Sequence, residues 1–201
     1  GFTIASSDPI VRNGSPATIS GTLNAPGGTA ALQPGTTVQL FGHVPNHGSF
    51  RELQSTVTGP SGGYQFTVQS STNEYYQVRT LTTPRRDTAQ LFEGVQDAVT
   101  MSASSTTSTV GGHITFTGTV SPDKTGHVIY LQKFGSDGDW HTVETRVVHH
   151  GSAFSFGWTF GSAGAKQFRA RITGGPNNLG GASPGVTVYA APTPLVSLPT
   201  G

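Results

Sequence analysis

Apolar and polar residues alternate in many short stretches of this sequence. Ile19, Gly21 and Leu23 occupy one face of such a stretch, and Ser or Thr alternates with them on the other face. Successive side chains of a β-strand point to opposite faces, so a period of two predicts strands with one buried face. No stretch shows a sustained helical period, although residues 87–95 allow one helical turn. The pattern therefore predicts an all-β protein.

Turn-forming residues separate the alternating stretches at intervals of about 8–12 residues. Glycine, proline, asparagine and aspartate favour turns because they accept or pre-set the backbone angles that turns require. The clearest clusters lie at residues 34–35, 46–48, 59–62, 137–138 and 174–176. Short strands joined in this way, about seven in a hundred residues, predict an antiparallel β-sandwich.

The same succession of stretches occurs twice in the chain. Residues 19–23 match residues 116–120, and Gly21 and Gly118 stand at the same place in the two segments, 97 positions apart. Further matches, at offsets of 91 or 90, pair Val38 with Ile129, Phe50 with Trp140, Phe66 with Phe156, and Val78 with Phe168. An internal repeat of this length indicates two copies of one folding unit.

The offset between the two copies changes only between predicted strands. Val38 follows Leu23 by 15 positions, whereas Ile129 follows Val120 by 9, so the first copy carries six more residues in the loop at 24–37. Loops tolerate insertions of this kind and strands do not. The two copies therefore correspond to each other as folding units, and their similarity is more than a shared composition.

The repeat predicts two tandem immunoglobulin-like, fibronectin III-like antiparallel β-sandwich domains, at residues 1–96 and 97–190. Residues 93–99 leave little chain for a linker, so we expect the two domains to be stacked end to end with limited bending. Residues 191–201 contain three prolines, which cannot donate a full ladder of backbone hydrogen bonds. We interpret them as a Pro-rich tail or linker, or as a strand that pairs with a neighbouring molecule.

Composition narrows the possible partners. Charged residues make up 10% of the chain and the formal net charge is +1, whereas a nucleic-acid binder needs a clustered basic surface. The absence of cysteine excludes disulfides and thiolate metal sites. No run of about 18 apolar residues occurs, so we expect no membrane insertion. Neighbouring domains or further copies of the chain, and surface glycans, are the partners that we consider.

Three strings of the second copy resemble a known family. Residues 114–122 (ITFTGTVSP), 128–133 (VIYLQK) and 140–143 (WHTV) are similar to bacterial Ig-like repeats of secreted or cell-surface proteins of the actinobacterial type. The first copy matches more loosely, with Phe50 in place of the tryptophan. The resemblance implies an extracellular protein of this fold. Such repeats serve as spacers, stalks, adhesin modules and companions of secreted enzymes, and a fold alone does not identify a function.

Five residues are candidate ligand contacts. Trp140 is either a sugar-stacking platform or a packed strand residue, and Phe50 at the matching position favours packing. Arg85 and Arg86 lie in a predicted loop, where they either bind an acidic sugar or phosphate or remain solvated. Tyr75 and Tyr76 are further candidate contacts for a carbohydrate.

The sequence motifs do not indicate an active site, a metal site or a cofactor site. The seven histidines lack the spacing of a metal site, and we interpret them as solvated turn residues. Asp137 and Asp139 resemble a fragment of a calcium loop, but with Gly138 they equally form a hairpin turn. No carboxylate pair, nucleophile motif or phosphate loop stands out. We therefore expect neither an enzyme nor a cofactor.

Three functions remain, and the sequence favours the first. The tandem copies, the short join and the low charge predict a non-catalytic extracellular structural module, such as a stalk, a spacer or a surface-fibre repeat. The first alternative is an adhesion or carbohydrate-binding module. The second is a subunit of a self-assembling filament, joined by strand donation through the uncharged edges or the apolar residues 195–198.

Overall fold

The chain folds into two compact units, shown by a computed structural model that describes residues 1–28 and 31–193. Unit 1 contains Gly1–Gln96 together with Gly174–Leu179, and unit 2 contains Asp97–Thr173 and the residues from Gly180 onward. Most of the apolar tail proposed from the sequence, from residue 194, lies outside the described residues.

In unit 1 the described residues form eight strands and one 3-10 turn at Pro26–Gly28. Its strands are β1 (Ala5–Ser6), β2 (Ile10–Arg12), β3 (Ala17–Thr22), β4 (Thr37–His43), β5 (Arg51–Val57), β6 (Gly63–Val68), β7 (Glu74–Thr80) and β8 (Leu91–Gln96). Strand β8 occupies the segment that the sequence left open to a helical turn. That prediction was wrong because Leu91–Gln96 pairs with strands on both sides, and such pairing does not show in a local pattern.

In unit 2 nine strands lie within the part that the structure describes. They are β9 (Ala98–Ala103), β10 (Thr107–Thr109), β11 (His113–Ser121), β12 (Val128–Phe134), β13 (Trp140–Val147), β14 (Ala153–Thr159), β15 (Gly164–Ile172), β16 (Gly181–Ala182) and β17 (Val186–Ala191).

Both units have the same topology. One sheet has the order β1-β3-β6 in unit 1 and β9-β11-β14 in unit 2; the other has the order β2-β8-β7-β4-β5 and β10-β17-β15-β12-β13. Strand β16 adds to the larger sheet of unit 2 beside β15. All pairs are antiparallel except β2 with β8 and β10 with β17, which are parallel. The prediction of two tandem immunoglobulin-like β-sandwiches is thereby confirmed.

A separate hydrophobic core lies between the sheets of each unit. Ile19, Leu40 and Val78 are fully buried in unit 1, and Phe116 and Phe156 are fully buried in unit 2. These are the inward positions of the alternating strands, as the period of two requires. At about 25 cal/mol per Å² of buried apolar surface, burial of each such side chain stabilises its unit by about 1.5–3 kcal/mol.

Gly21 and Gly118 have a structural reason to be glycine. A Cβ atom at Gly21 would overlap the backbone carbonyl oxygen of Thr3, and one at Gly118 would overlap that of Thr100. The segment just before β1 in unit 1, and strand β9 in unit 2, therefore lie directly against this glycine. The repeated Gly-Thr pair, Gly21-Thr22 and Gly118-Thr119, marks the place where two chain segments approach closely.

The strand register corrects one match between the copies. Leu40 pairs with Val78 in unit 1, whereas Leu131, the counterpart of Leu40, pairs with Ala170 in unit 2. Val78 therefore corresponds to Ala170 and not to Phe168, which had been matched to it from the sequence. A slip of two residues keeps every side chain on the same face of the sheet, so alternation alone cannot detect it.

Candidate functional site

Trp140 lies half-buried at the start of β13, on the outer face of the larger sheet of unit 2. Its ring packs against Phe134, the cross-strand neighbour on β12, with the ring centroids 5.1 Å apart. The guanidinium carbon of Arg169 lies 4.4 Å from the centroid of the Trp140 ring, a cation–π contact. Trp140 is thus packed on the sheet surface and is not part of the core.

Arg169 is held in place by a neutral partner. Its Nε atom donates a hydrogen bond to Oε1 of Gln132 at 2.9 Å, and Gln132 is buried. Burial, and then the nearby charge of Arg171, lower the pKa of the Arg169 guanidinium. Because an amide oxygen carries no charge, this hydrogen bond orients the guanidinium without neutralising it. We call Trp140, Phe134, Arg169 and Gln132 the aromatic–arginine platform of unit 2.

Unit 1 has an equivalent arrangement built from different positions. The guanidinium of Arg79 lies 4.2 Å from the ring centroid of Phe41 and 5.2 Å from that of Phe50. Its Nε and Nη2 atoms donate to Oε1 of Gln77 at 3.1 and 3.0 Å. The ring of His43 lies 5.4 Å from Phe50. Both units therefore stack an amide-held arginine on aromatic rings at the same corner of the sheet.

The two candidate tyrosines point in opposite directions on β7. Tyr75 is half-buried on the outer face, and its ring centroid lies 5.2 Å from that of Phe92. Tyr76 is 1% exposed and belongs to the core of unit 1. Burial, and then the charges of Glu74 and Glu93, raise the pKa of the Tyr76 hydroxyl. A ligand on the surface can therefore reach Tyr75, whereas Tyr76 is enclosed.

The two loop arginines have partners inside unit 1. Arg85 donates from Nη2 to Oδ2 of Asp87 at 2.9 Å and is exposed. Arg86 donates from Nη1 to the carbonyl oxygen of Asn24 at 2.6 Å and to Oε1 of Gln33 at 3.3 Å. A cleft of about 540 Å³, lined in part by Arg86 and Gln33, lies beside them. Both arginines belong to unit 1, whereas Trp140 belongs to unit 2.

A polar cluster inside unit 1 has no counterpart in the sequence predictions. Glu74 and Glu93 are cross-strand partners on β7 and β8, and they are 3% and 1% exposed. Arg51 forms an ion pair with Glu74 at 2.7 Å between Nη2 and Oε1. The hydroxyl of Ser6 donates to Oε2 of Glu93 at 2.7 Å. Burial is the main reason that the pKa of Glu93 is raised, and the charges of Asp8 and Glu74 add to it.

Unit 2 fills the same positions with other residues. The strand registers place Val188 where unit 1 has Glu93, Lys166 where it has Glu74, and Ala103 where it has Ser6. The shared fold therefore does not require the buried carboxyl pair. A cleft of about 420 Å³ between β5 and the segment after β6 is lined by Glu74, Tyr76 and Arg51, among others.

A second buried charge pair lies in unit 2. Lys124 Nζ is 3.1 Å from Oδ1 of Asp97, and the two side chains are 12% and 1% exposed. Burial raises the pKa of Asp97, and the lysine charge opposes that effect. This pair joins the first residue of unit 2 to the loop between β11 and β12.

The turn between β12 and β13 holds Asp137, which accepts hydrogen bonds from the backbone of Asp139 and from Nε2 of His141, the latter at 2.7 Å. These contacts lower the pKa of Asp137. Gly138 has a φ of 85°, as the predicted hairpin turn requires. Among the described residues, no group of three or more histidine, cysteine, aspartate or glutamate side chains converges as a metal site would.

Sequence comparison gives no family for this chain: no family model matches it, and no match is found among curated proteins. Solved structures do resemble it. The D0-D1 domain of intimin has 15% identity and a TM-score of 0.37, covering 94% of this chain and 98% of that one. Invasin, a bacterial integrin-binding protein, has 17% identity and a TM-score of 0.43, covering 97% and 40%.

A third structure is the C-terminal 282-residue fragment of intimin in complex with the intimin-binding domain of the translocated intimin receptor. It has 9% identity and a TM-score of 0.44, covering 95% of this chain and 64% of that one. The chain thus spans less than two thirds of the length of the invasin and intimin-fragment chains. The likeness is one of fold alone. Separately, the described residues include no helix with the length and hydropathy of a membrane span.

Proposed function

We propose that this chain is a non-catalytic, load-bearing module of an extracellular bacterial surface protein, a stalk or spacer built from two immunoglobulin-like units. The observation that carries the proposal is the parallel pairing of the second and last strands of each unit, β2 with β8 and β10 with β17. In unit 1, Ile10, Val11 and Arg12 pair with Gly94, Val95 and Gln96; in unit 2, Thr107, Ser108 and Thr109 pair with Tyr189, Ala190 and Ala191.

Parallel pairing sets how tension acts on each unit. Tension on the chain reaches the parallel pair at the start of its earlier strand, β2 or β10, and leaves it at the end of the last strand. In a parallel pair these two points lie at opposite ends. The evenly spaced interstrand hydrogen bonds are then loaded together in shear. An antiparallel pair pulled from adjacent ends would open one bond at a time. Both units therefore have the connectivity that resists extension.

Backbone hydrogen bonds extend each parallel pair by the same two contacts. Asn13 N donates to the Gln96 carbonyl at 2.8 Å, and Val110 N donates to that of Ala191 at 2.9 Å. At the other end, Gly94 N donates to Pro9, and Tyr189 N to Thr106, both at 2.9 Å. On the side of β2 and β10 the same bonds recur 97 positions apart, so the arrangement belongs to the repeat and not to one copy.

The edges of the larger sheets favour a passive module over a filament joined at those edges. The edge strands β5 and β13 each carry a β-bulge, with Leu53 and Val143 as the extra residues. Bulges and charged side chains on edge strands hinder pairing with another chain. The tail segment proposed for strand donation lies outside the described residues.

Single-molecule force spectroscopy of the chain between two marker domains tests the proposal. We expect two unfolding steps, each releasing roughly 30 nm, since about 95 residues extend by up to about 3.6 Å each. Asn13→Pro and Val110→Pro each remove one donor from a parallel pair, and each should lower the unfolding force of one step only.

Asn13→Ala and Val110→Ala keep the backbone donor and are the matched controls, so they should retain the wild-type force. Proline variants that unfold at the same force as their alanine counterparts would contradict the load-bearing role. Thermal melts of all four variants separate mechanical effects from a loss of thermodynamic stability.

A further inference from the structure

Two arginines on the outer face of unit 2 have no acidic partner. Arg169 and Arg171 are two residues apart on β15, so their side chains lie on the same face, about 7 Å apart along the strand. Among the described residues, neither forms an ion pair with a carboxylate. By contrast, Arg51, Arg85 and Arg146 each do.

The donors of these two arginines are largely unused. The Nε atom of Arg169 donates a hydrogen bond to Gln132. Its Nη atoms form no hydrogen bond with any described residue. Arg171 is exposed, and its side chain makes no hydrogen bond within the described part of the chain. A guanidinium presents a planar fork that matches the two oxygens of a carboxylate or a sulfate. The face therefore displays unused anion-binding groups.

Aromatic rings flank the arginines. Trp140 packs under Arg169, and Tyr130 is the cross-strand partner of Arg171 on β12. Both rings are half-buried with part of their surface open. Half-buried rings on a sheet surface offer apolar area at little entropic cost, with polar groups beside them. Sugar rings, which have apolar C–H faces and a polar rim, suit such a surface.

We propose that this face of unit 2 binds an acidic polysaccharide, with Arg169 and Arg171 holding its carboxylate or sulfate groups and Trp140 and Tyr130 contacting its sugar rings. A sheet surface is open along its length, which fits a polymer better than a small ligand. Two arginines on a chain of net charge +1 are too few for a nucleic-acid site, which needs many phosphate contacts. The inference goes beyond the load-bearing role and stands or falls independently of it.

The turn between β12 and β13 limits the site at one end. Asp137 and Asp139 lie in this turn, directly before Trp140. Their carboxylates repel an anion, so the acidic groups of the polymer should lie on the β15 side of Trp140.

Binding of the whole chain to oligogalacturonate and to dextran sulfate, measured by biolayer interferometry in low-salt buffer, tests the proposal. Methyl-esterified oligogalacturonate and neutral dextran are the uncharged counterparts. We expect binding to an acidic polymer and none to its counterpart. Arg169→Gln and Arg171→Gln should each weaken binding by about ten-fold, the loss of one charge-assisted hydrogen bond.

Arg146→Gln is the matched control, because it removes the same charge from unit 2 at an arginine that is already paired with Glu144. Its affinity should equal that of the wild type. Since Arg171 is exposed, Arg171→Gln should keep the wild-type melting temperature, which separates binding from folding. Absence of binding to both acidic polymers, an equal loss in Arg146→Gln, or equal binding of poly-glutamate would overturn the proposal.

Discussion

Glu74 and Glu93 face each other across β7 and β8, buried inside unit 1 at directly paired positions. Like charges at paired positions repel, and burial removes the water that would screen them. Arg51 supplies a positive charge through its ion pair with Glu74. The raised pKa of Glu93 follows from this arrangement. The pair is therefore a source of pH-dependent stability that unit 2, with Val188 in place of Glu93, lacks.

The stability of unit 1 should fall as the pH rises. Because the folded state holds the proton of Glu93 more tightly than the unfolded chain does, this contribution is complete below the ordinary glutamate pKa of 4.5. It is lost as the pH rises through the higher pKa of the folded state. Glu93→Gln should flatten this dependence in urea unfolding followed by circular dichroism. Glu52→Gln, on the exposed edge strand, is the control and should leave the slope unchanged.

Replacing Glu93 by the residue of the other copy extends this test. Glu93→Val together with Ser6→Ala reproduces Val188 and Ala103 of unit 2, and it removes a buried charge with its hydrogen-bond donor. Replacement of buried charges by apolar residues of similar volume is often neutral or stabilising. We expect an equal or higher melting temperature at neutral pH; a lower one would show that the carboxyl group stabilises the fold.

Gly118→Ala should destabilise unit 2 by about 3 kcal/mol, since the added methyl group overlaps the Thr100 carbonyl and forces β9 away. Both tryptophans, Trp140 and Trp158, belong to unit 2, so their fluorescence during urea unfolding measures this loss. Gly161→Ala is the control, because a Cβ there meets no atom within 4 Å. Equal stability of the two variants would refute the close strand approach.

Lys124→Met should destabilise unit 2 by about 3–5 kcal/mol, because it leaves the buried carboxylate of Asp97 without its positive partner. Tryptophan fluorescence again reports the change. Arg85→Gln breaks an exposed pair with Asp87, and exposed pairs contribute about 0–1 kcal/mol. If Lys124→Met proves as mild as Arg85→Gln, the pair is not buried in solution.

Arg86→Gln should lower the stability of unit 1 by about 1–3 kcal/mol, because the Asn24 carbonyl loses a charged donor. The melting temperature from circular dichroism measures this effect, and the exposed neighbour Arg85 serves as the comparison through Arg85→Gln. A larger loss at Arg86 identifies it as part of the scaffold of unit 1. Equal, negligible losses would leave Arg86 available as a ligand contact.

Much of the fold could be predicted from local patterns. Alternation at residues 19–23 and 116–120 identifies strands and their buried faces, because β-strands expose opposite faces at successive residues. Gly21 and Gly118 mark the repeat in the sequence, and the close contacts of their Cα positions with Thr3 and Thr100 explain why both are glycine. The parallel strands β2 and β10, by contrast, are three residues long, too short to give a pattern of their own.

The candidate site depended much more on pairing in three dimensions. The loop position of Arg85 and Arg86 predicts accessible ligand contacts, because loops gather at the ends of sandwiches. The sequence does not show that Asp87 and the Asn24 carbonyl are their partners. In the sequence, nothing distinguishes Arg169 and Arg171 from the outward polar residues of any alternating strand. Whether a charge is neutralised depends on which strands lie beside it, and strand order is a long-range property.

The sequence by itself determined the all-β class, the two copies and the inward face of most strands, because each follows from the chemistry of neighbouring residues along one chain. Only the tertiary structure decided the register of β15, the facing of Glu74 and Glu93, and which arginines lack an acidic partner. The physical reason is that strand pairing joins residues far apart in the chain, and a slip of two residues leaves the alternation of faces unchanged while it exchanges every cross-strand partner.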